Sequence, residues 1–296
     1  MRTYDREAVA CLLPYGRLVD ALEDAFRTDV NAPGRTHYQL AVPGDADATL
    51  LLMPAWRSGE SLGVKIATIF PGNLRKNLPS VSASYLLLDA TTGMPRAFLD
   101  GAELTLRRTA AASALASRKL SRPDASTLLM VGTGKLAPQL VAAHATVRNI
   151  EKVLVWGRRP EAVARLLQSF TNTSFTATAA GDLADAVARA DIISCATLAT
   201  EPLIRGAWLR KGQHVDLVGA FRPDMREADG EALARADVYV DTFEGALAEA
   251  GEIIQSLQEG SLERSGIIGD LFALARGTCR ARQSADAITL FKSVGT

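Results

Sequence analysis

A glycine-rich turn is the first place where this chain spells out chemistry. The apolar strand pattern of residues 126–131 runs straight into Gly132-Thr133-Gly134-Lys135-Leu136-Ala137, and a helical pattern starts at once. In a G-x-G-x-x-A turn the first glycine permits the tight bend and the second lets backbone approach a pyrophosphate. The small third residue lets helix pack on strand. The pyrophosphate then rests on the unpaired N–H groups at the helix start. About 20 residues further on, where such a unit places its ribose-binding position, the strand Lys152-Val153-Leu154-Val155-Trp156 ends in Gly157-Arg158-Arg159-Pro160. An acidic residue there would hold the 2′-hydroxyl of NAD. Two guanidinium groups suit a 2′-phosphate instead, through paired charge-assisted hydrogen bonds. The turn and its spacing therefore predict a dinucleotide site that prefers NADP(H) and can accept NAD(H). Gly132, Gly134, Lys135 and Leu136 are expected at the pyrophosphate, and Arg158 and Arg159 at the adenosine phosphate.

The elements that must position this turn are legible from hydrophobic periodicity. After a boundary near Ser121-Arg122-Pro123-Asp124 the pattern alternates strand and helix: strand 126–131, helix 135–148, strand 152–156, helix 160–169, a short strand near 174–177 and helix 182–189. Strands 192–195, 214–218 and 238–240 follow, which predicts a parallel sheet of about six strands. Helices are expected at 244–250 and 271–276, and residues 287–291 read as a strand returning to the first domain. Before the boundary the first ~30 residues have the helical period of a packing helix. Short strands at 38–42, 49–54, 63–68, 82–89 and 96–99 follow, too close together for crossover helices, so that sheet is expected to be largely antiparallel. An Ala-rich helix at 103–120 closes the segment. The fold class is α/β: a Rossmann-type doubly wound parallel sheet plus a discontinuous α+β domain for substrate and dimerisation. The expected boundaries are 1–121 with 277–296 for the α+β domain and 122–276 for the dinucleotide domain.

Bulk properties remove several other classes of function. The chain has 296 residues, enough for two domains with their own cores, and 33 basic residues balance 33 acidic ones. That balance offers no electrostatic case for nucleic acid or a membrane surface. No apolar run approaches the ~20 residues that cross a bilayer, and the segment Met1-Arg2-Thr3-Tyr4-Asp5-Arg6-Glu7 lacks the apolar core of a secretion signal. Cys11, Cys195 and Cys279 show no metal or redox spacing, which reads as a reduced, cytoplasmic protein. His37, His144 and His214 form no i, i+4 pair, so no metal is expected.

Scattered fragments of the chain combine into a wider pattern. These are Met53-Pro54-Ala55, Gly63-Val64-Lys65, Phe70-Pro71-Gly72-Asn73, Gly93-Met94-Pro95 and Leu104-Thr105-Leu106-Arg107-Arg108-Thr109-Ala110-Ala111. The Gly132–Ala137 turn, Thr197 with Glu201-Pro202-Leu203, Val218-Gly219-Ala220, Arg226-Glu227-Ala228-Asp229 and Phe291-Lys292-Ser293-Val294-Gly295 complete it. In this order, over nearly the whole chain, they resemble the ornithine cyclodeaminase/μ-crystallin family. That family also holds certain alanine dehydrogenases and the ketimine and cyclic-imine reductases. The resemblance implies a homodimer, a substrate-contacting Lys65 and Arg108, and a second arginine at Arg35. It also places Ser80, Thr197, Val218, Ser293 and Val294 near the cofactor's ribose or nicotinamide. The residue types agree with those roles. Guanidinium groups bind the carboxylate of an imino or keto acid bidentately, and an ammonium among other cations has its pKa drawn down into the range of a proton donor.

One departure chooses among the activities in the family. Ornithine cyclodeaminases and the related alanine dehydrogenases carry an aspartate after the turn that here reads Val218-Gly219-Ala220, and this chain has Phe221. A phenyl ring has no lone pair to take a proton or hold an amine, but it makes an apolar wall for ring methylenes. The expectation is therefore a reductase of cyclic imino acids, Δ1-pyrroline-2-carboxylate or Δ1-piperideine-2-carboxylate, with Lys65 as proton donor and Phe221 on the substrate ring. The alternatives are ornithine cyclodeamination, amination of a linear 2-oxo acid as in an alanine dehydrogenase, and a μ-crystallin-like protein that binds NADP(H) and a small ligand without turnover.

Overall fold

The computed structural model describes residues 1–295. From the amino end the elements are β1 (Arg2–Tyr4), α1 (Arg6–Leu12), α2 (Tyr15–Arg27), β2 (Thr36–Leu40), β3 (Ala48–Arg57), β4 (Ser61–Ile69), β5 (Val81–Leu88), β6 (Pro95–Asp100) and α3 (Gly101–Leu120). Next come β7 (Thr127–Val131), α4 (Ala137–Val147), β8 (Lys152–Trp156), α5 (Pro160–Gln168), β9 (Thr176–Ala179), α6 (Leu183–Arg189), β10 (Ile192–Cys195) and β11 (His214–Leu217). The last are α7 (Gly230–Arg235), β12 (Asp237–Val240), α8 (Phe243–Glu249), α9 (Gly251–Glu259), β13 (Ile267–Asp270), α10 (Leu271–Arg276) and β14 (Thr289–Lys292). They fall into two compact units. The first holds Met1–Pro14 and Thr28–Arg108, the second Tyr15–Arg27 and the chain from Thr109 onward.

The first unit is built on a six-stranded sheet of order β1-β6-β5-β4-β3-β2. Its pairs are antiparallel except β1 with β6, as short connections require. Polar side chains shape those connections: Asp89 Oδ1 accepts from the Thr91 and Thr92 N–H groups, each at 2.9 Å, and Gly93 takes a left-handed φ of +72°.

The second unit carries an eight-stranded parallel sheet of order β13-β12-β14-β11-β10-β7-β8-β9. From β7 the chain moves outward through β8 and β9, then returns to the other side of β7 for β10 and β11. That reversal makes a topological switch point between β7 and β10, where α/β sheets bind ligands at their carboxyl ends. The central strands β7 and β8 read as nearly unbroken apolar runs, with apolar layers packed on both faces. Leu128, Met130, Val153 and Val155 pack on one side, and Leu129, Val131, Leu154 and Ile193 on the other.

Three expectations from the sequence are corrected here. The amino-terminal stretch is not one helix: it divides into β1, α1 and α2, and Pro14, which cannot continue the α1 ladder, separates the two helices. The boundary between units lies at Arg108/Thr109 within α3, not near residue 121. Ala110, Ala111, Ala114, Leu115 and Leu120 of α3 share a core with Tyr15, Val19 and Phe26 of α2 and with Leu128, Met130 and Leu140. Finally, the carboxyl-terminal strand does not return to the first domain. It lies between β11 and β12 in the parallel sheet, where Leu290 and Phe291 are fully buried. With β14 and the unforeseen β13 added, the sheet has eight strands, not about six.

Candidate functional site

The first unit gathers cations on one face of its sheet. Lys65 of β4 pairs with Met53 of β3 and with Tyr85 of β5, and directly paired residues project to the same face. Thr36 of β2 pairs with Leu52. Carrying that register one residue back sets Arg35 opposite Met53, in the same row. Arg108 comes from α3. Lys65, Arg35 and Arg108 are all half-buried, and their charges interact. Desolvation, then Arg108, then Arg35 lower the Lys65 ammonium from 10.5 to about 7. The neighbouring Arg107 is engaged elsewhere, donating to Glu103 Oε1 at 2.9 Å and to the Leu13 carbonyl at 2.9 Å. Two guanidiniums and an ammonium drawn down toward neutrality are the groups that can bind an anion and exchange a proton beside it.

Tyr85, next to Lys65 in that row, was not expected. A Cβ at Gly63 would lie 1.9 Å from the Tyr85 hydroxyl oxygen, so the phenol lies across Gly63 and only glycine leaves it room. Burial raises its pKa, which keeps it a neutral hydroxyl. No motif in the sequence marks it; only the β4–β5 register does. Ser80, also in this unit, is half-buried just before β5, and its carbonyl accepts the Phe70 N–H at 2.8 Å.

In the second unit the expected cofactor residues line the carboxyl edge of adjacent strands. Arg158 and Arg159 follow β8 and are exposed, Gly132 follows β7, Thr197 follows β10, Val218 follows β11, and Ser293 and Val294 follow β14. Gly132 adopts φ +113° and donates its N–H to the Trp156 carbonyl at 2.9 Å; a Cβ there would stand 2.5 Å from the Ala196 oxygen. A Cβ at Gly134, by contrast, would point into open space. Helix α4 begins without a side-chain cap at Leu136, and Lys135 is exposed beside it. A helix start without a side-chain cap, beside a glycine with free room, fits a diphosphate.

Asp241, at the end of β12, was also missed. Its Oδ2 accepts the Ser293 hydroxyl at 3.0 Å, the Val294 N–H at 2.9 Å and the Gly295 N–H at 3.0 Å. An acid placed directly after the run Val238-Tyr239-Val240 was the available signal. Phe221 is exposed at 45 %, and Asp224 does not restore the missing acid, because Arg222 occupies it with two contacts of 2.9 Å. Among the described residues no group of His, Cys, Asp and Glu could hold a metal ion, and no helix is long and apolar enough to cross a membrane.

The doubly wound sheet and the glycine-lined strand edge define an α/β protein of the dinucleotide-binding type. A model of the ornithine cyclodeaminase/mu-crystallin family matches residues 4–296, and the chain belongs to that family. It is 39% identical over 300 residues to a Δ1-pyrroline-2-carboxylate reductase of Colwellia psychrerythraea, covering 100% of this chain and 95% of that protein. Among solved structures it is similar to Thermococcus litoralis Δ1-pyrroline-2-carboxylate reductase in complex with NADH and L-proline. There the TM-score is 0.91 and the identity 33%, over 100% of this chain and 92% of that one. An archaeal alanine dehydrogenase dimer with bound NAD matches with TM-score 0.89 and 27% identity, over 100% of this chain and 91% of that one.

Proposed function

We propose that the protein is an NAD(P)H-dependent reductase of cyclic imino acids, converting Δ1-pyrroline-2-carboxylate or Δ1-piperideine-2-carboxylate to L-proline or L-pipecolate. The observation that carries this reading is the row of cations around Lys65, whose ammonium titrates near 7. Arg108 and Arg35 hold the substrate carboxylate through bidentate, charge-assisted hydrogen bonds. Lys65 gives a proton to the imine nitrogen, and loss of that proton relieves the cationic crowding around it. Phe221, where relatives with a different chemistry need an acid, offers an apolar surface to the ring methylenes. The nicotinamide, when bound, supplies the hydride that the imine carbon receives.

For the cofactor, Gly132, Gly134, Lys135 and Leu136 are assigned to the diphosphate. Ser80, Thr197, Val218, Ser293 and Val294 are assigned to the nicotinamide half. The exposed pair Arg158 and Arg159 favours NADP(H) over NAD(H) by pairing with a 2′-phosphate. The working form is a homodimer: the first unit's sheet exposes Tyr38, Leu40, Trp56 and Phe98, apolar surface that a second copy would cover. Its three free cysteines suit a cytoplasmic setting. The test mixes purified protein with each imine and with NADPH or NADH, and follows loss of nicotinamide absorbance. Turnover well above a Lys65→Ala control is the expected result, and none above that control removes the reading.

A further inference from the structure

Beneath the carboxyl edge of the parallel sheet, three ionisable side chains are buried together: Glu227, Glu252 and Lys292 each have 0 % exposure. Glu227 Oε1 accepts the Thr197 N–H at 2.7 Å and the Thr197 hydroxyl at 2.8 Å, while Oε2 accepts the Gly219 N–H at 2.7 Å. One carboxylate thus joins the loop after β10 to the loop after β11. The Glu227 N–H donates to Glu252 Oε1 at 2.8 Å, and Glu252 Oε2 lies 3.1 Å from Lys292 Nζ. Helix α9 and strand β14 are therefore tied to the same cluster. The glycines confirm how closely these parts approach. A Cβ at Gly219 would stand 2.1 Å from the Thr197 carbonyl oxygen, and one at Gly251 would stand 1.8 Å from the Met225 carbonyl oxygen.

Burying three ionisable groups is expensive, and well-packed apolar residues of similar volume are often as stable or more so. Packing alone does not call for this cluster, but a carboxylate that accepts from two loops at once does fix their spacing. Those two loops carry Thr197 and Val218, and β14 leads into Ser293 and Val294. We propose that Glu227, supported by Lys292 and Glu252, is a positioning residue for the nicotinamide half of the cofactor: it sets the distance between the two loops that receive it. This rests on reading the second unit as the NAD(P) site. Burial, opposed by Lys292 and reinforced by Glu252, lifts the Glu227 carboxyl to about 7.

The test compares whole cofactors with fragments that lack nicotinamide. In the full-length protein, Glu227→Gln puts an amide N–H against a backbone N–H at Thr197 or Gly219. Thr197→Val keeps the acid and removes one hydroxyl, which donates to Glu227 and accepts from the Ala199 N–H, so it serves if the first variant does not fold. Binding of NADH, NADPH, ADP-ribose and 2′,5′-ADP is read by calorimetry. In E227Q the Kd of both whole cofactors rises ~10-fold or more, while both fragments stay within ~2-fold of wild type. T197V moves in the same direction by ~3-fold. In the imine assay KM for the cofactor rises more than kcat falls. Equal losses for cofactors and fragments mark a merely architectural role and overturn the proposal, as does no change in either. If the wild-type protein binds neither cofactor nor fragment, the dinucleotide reading itself fails and takes the proposal with it.

Discussion

Titration of Lys65 gives the most demanding test of the substrate site. The half-buried ammonium stands at about 7 because it is desolvated beside Arg108 and Arg35. The displacement from 10.5 corresponds to roughly 4–5 kcal/mol of bias against the charged form, an upper value because part of the side chain stays hydrated. Its sign is fixed by linkage. The unfolded chain holds this proton up to 10.5 and the folded chain only to about 7. Between those pH values the unfolded state binds more protons, so stability rises with pH; below 7 the full cost remains.

A bound carboxylate reverses the local field. An anion ~4 Å from the ammonium is worth about 4 kcal/mol at an effective dielectric of ~20. After screening by solvent and salt, ~1–2 kcal/mol remains, enough to raise the pKa by about one unit. Proton delivery needs the ammonium form. Initial rates of NADPH loss between about pH 5.5 and 9.5, at low and saturating imine, separate the free from the loaded protein. We expect kcat/KM to fall tenfold per pH unit above about 7 and kcat to break about one unit higher. Lys65→Met abolishes the protein's break and lowers kcat/KM by ~10²–10⁴-fold. A kcat/KM that stays flat from about pH 6 to 9, or a K65M protein within about threefold of wild type, refutes the reasoning.

Three further outcomes follow from the geometry. Replacing Arg158 and Arg159 by Gln weakens NADPH binding by ~10–100-fold and leaves NADH nearly unchanged, because charge-assisted bonds to a 2′-phosphate are lost; fluorescence titration of both cofactors reads this directly. Gly132→Ala forces a side chain into φ +113° and against the Ala196 carbonyl. It costs about 1–3 kcal/mol in thermal unfolding and abolishes tight NADPH binding. Gly63→Ala collides with the Tyr85 phenol and destabilises by about 1–3 kcal/mol in denaturant titration. Tyr85→Ala in the same chain clears that space, so the double variant recovers part of the loss, a non-additivity diagnostic of direct contact.

The sequence made some of this visible and hid the rest for identifiable reasons. Strands 152–156 and 192–195 and helix 271–276 could be bounded to the residue, because each is an apolar run between strong turn or capping signals. The Gly132 turn was readable because its conformation admits few residue types. The strand near the carboxyl end was seen but misplaced: periodicity reveals that a segment is extended and says nothing about which sheet receives it. The cationic row shows the same limit. Lys65 and Arg108 stand out in motifs, whereas Tyr85 joins them only through a strand register that no local pattern encodes. Glu227 sat inside a recognisable motif, yet burial, which gives it meaning, comes from Lys292 and Glu252 on distant stretches of chain.

The place of β14 has a bearing on how this molecule is made. The strand lies between β11 and β12, yet it follows the other seven strands of that sheet in chain order. Until residues 289–292 emerge, the nascent second unit holds two unjoined pieces of sheet, each with a raw hydrogen-bonding edge of the kind that invites wrong partners. Lys292 arrives with that strand, so Glu252 must wait equally long for its counter-charge. Joining of the two pieces therefore waits for residues 289–292, and chaperones that shield open strand edges have their natural window before that segment appears.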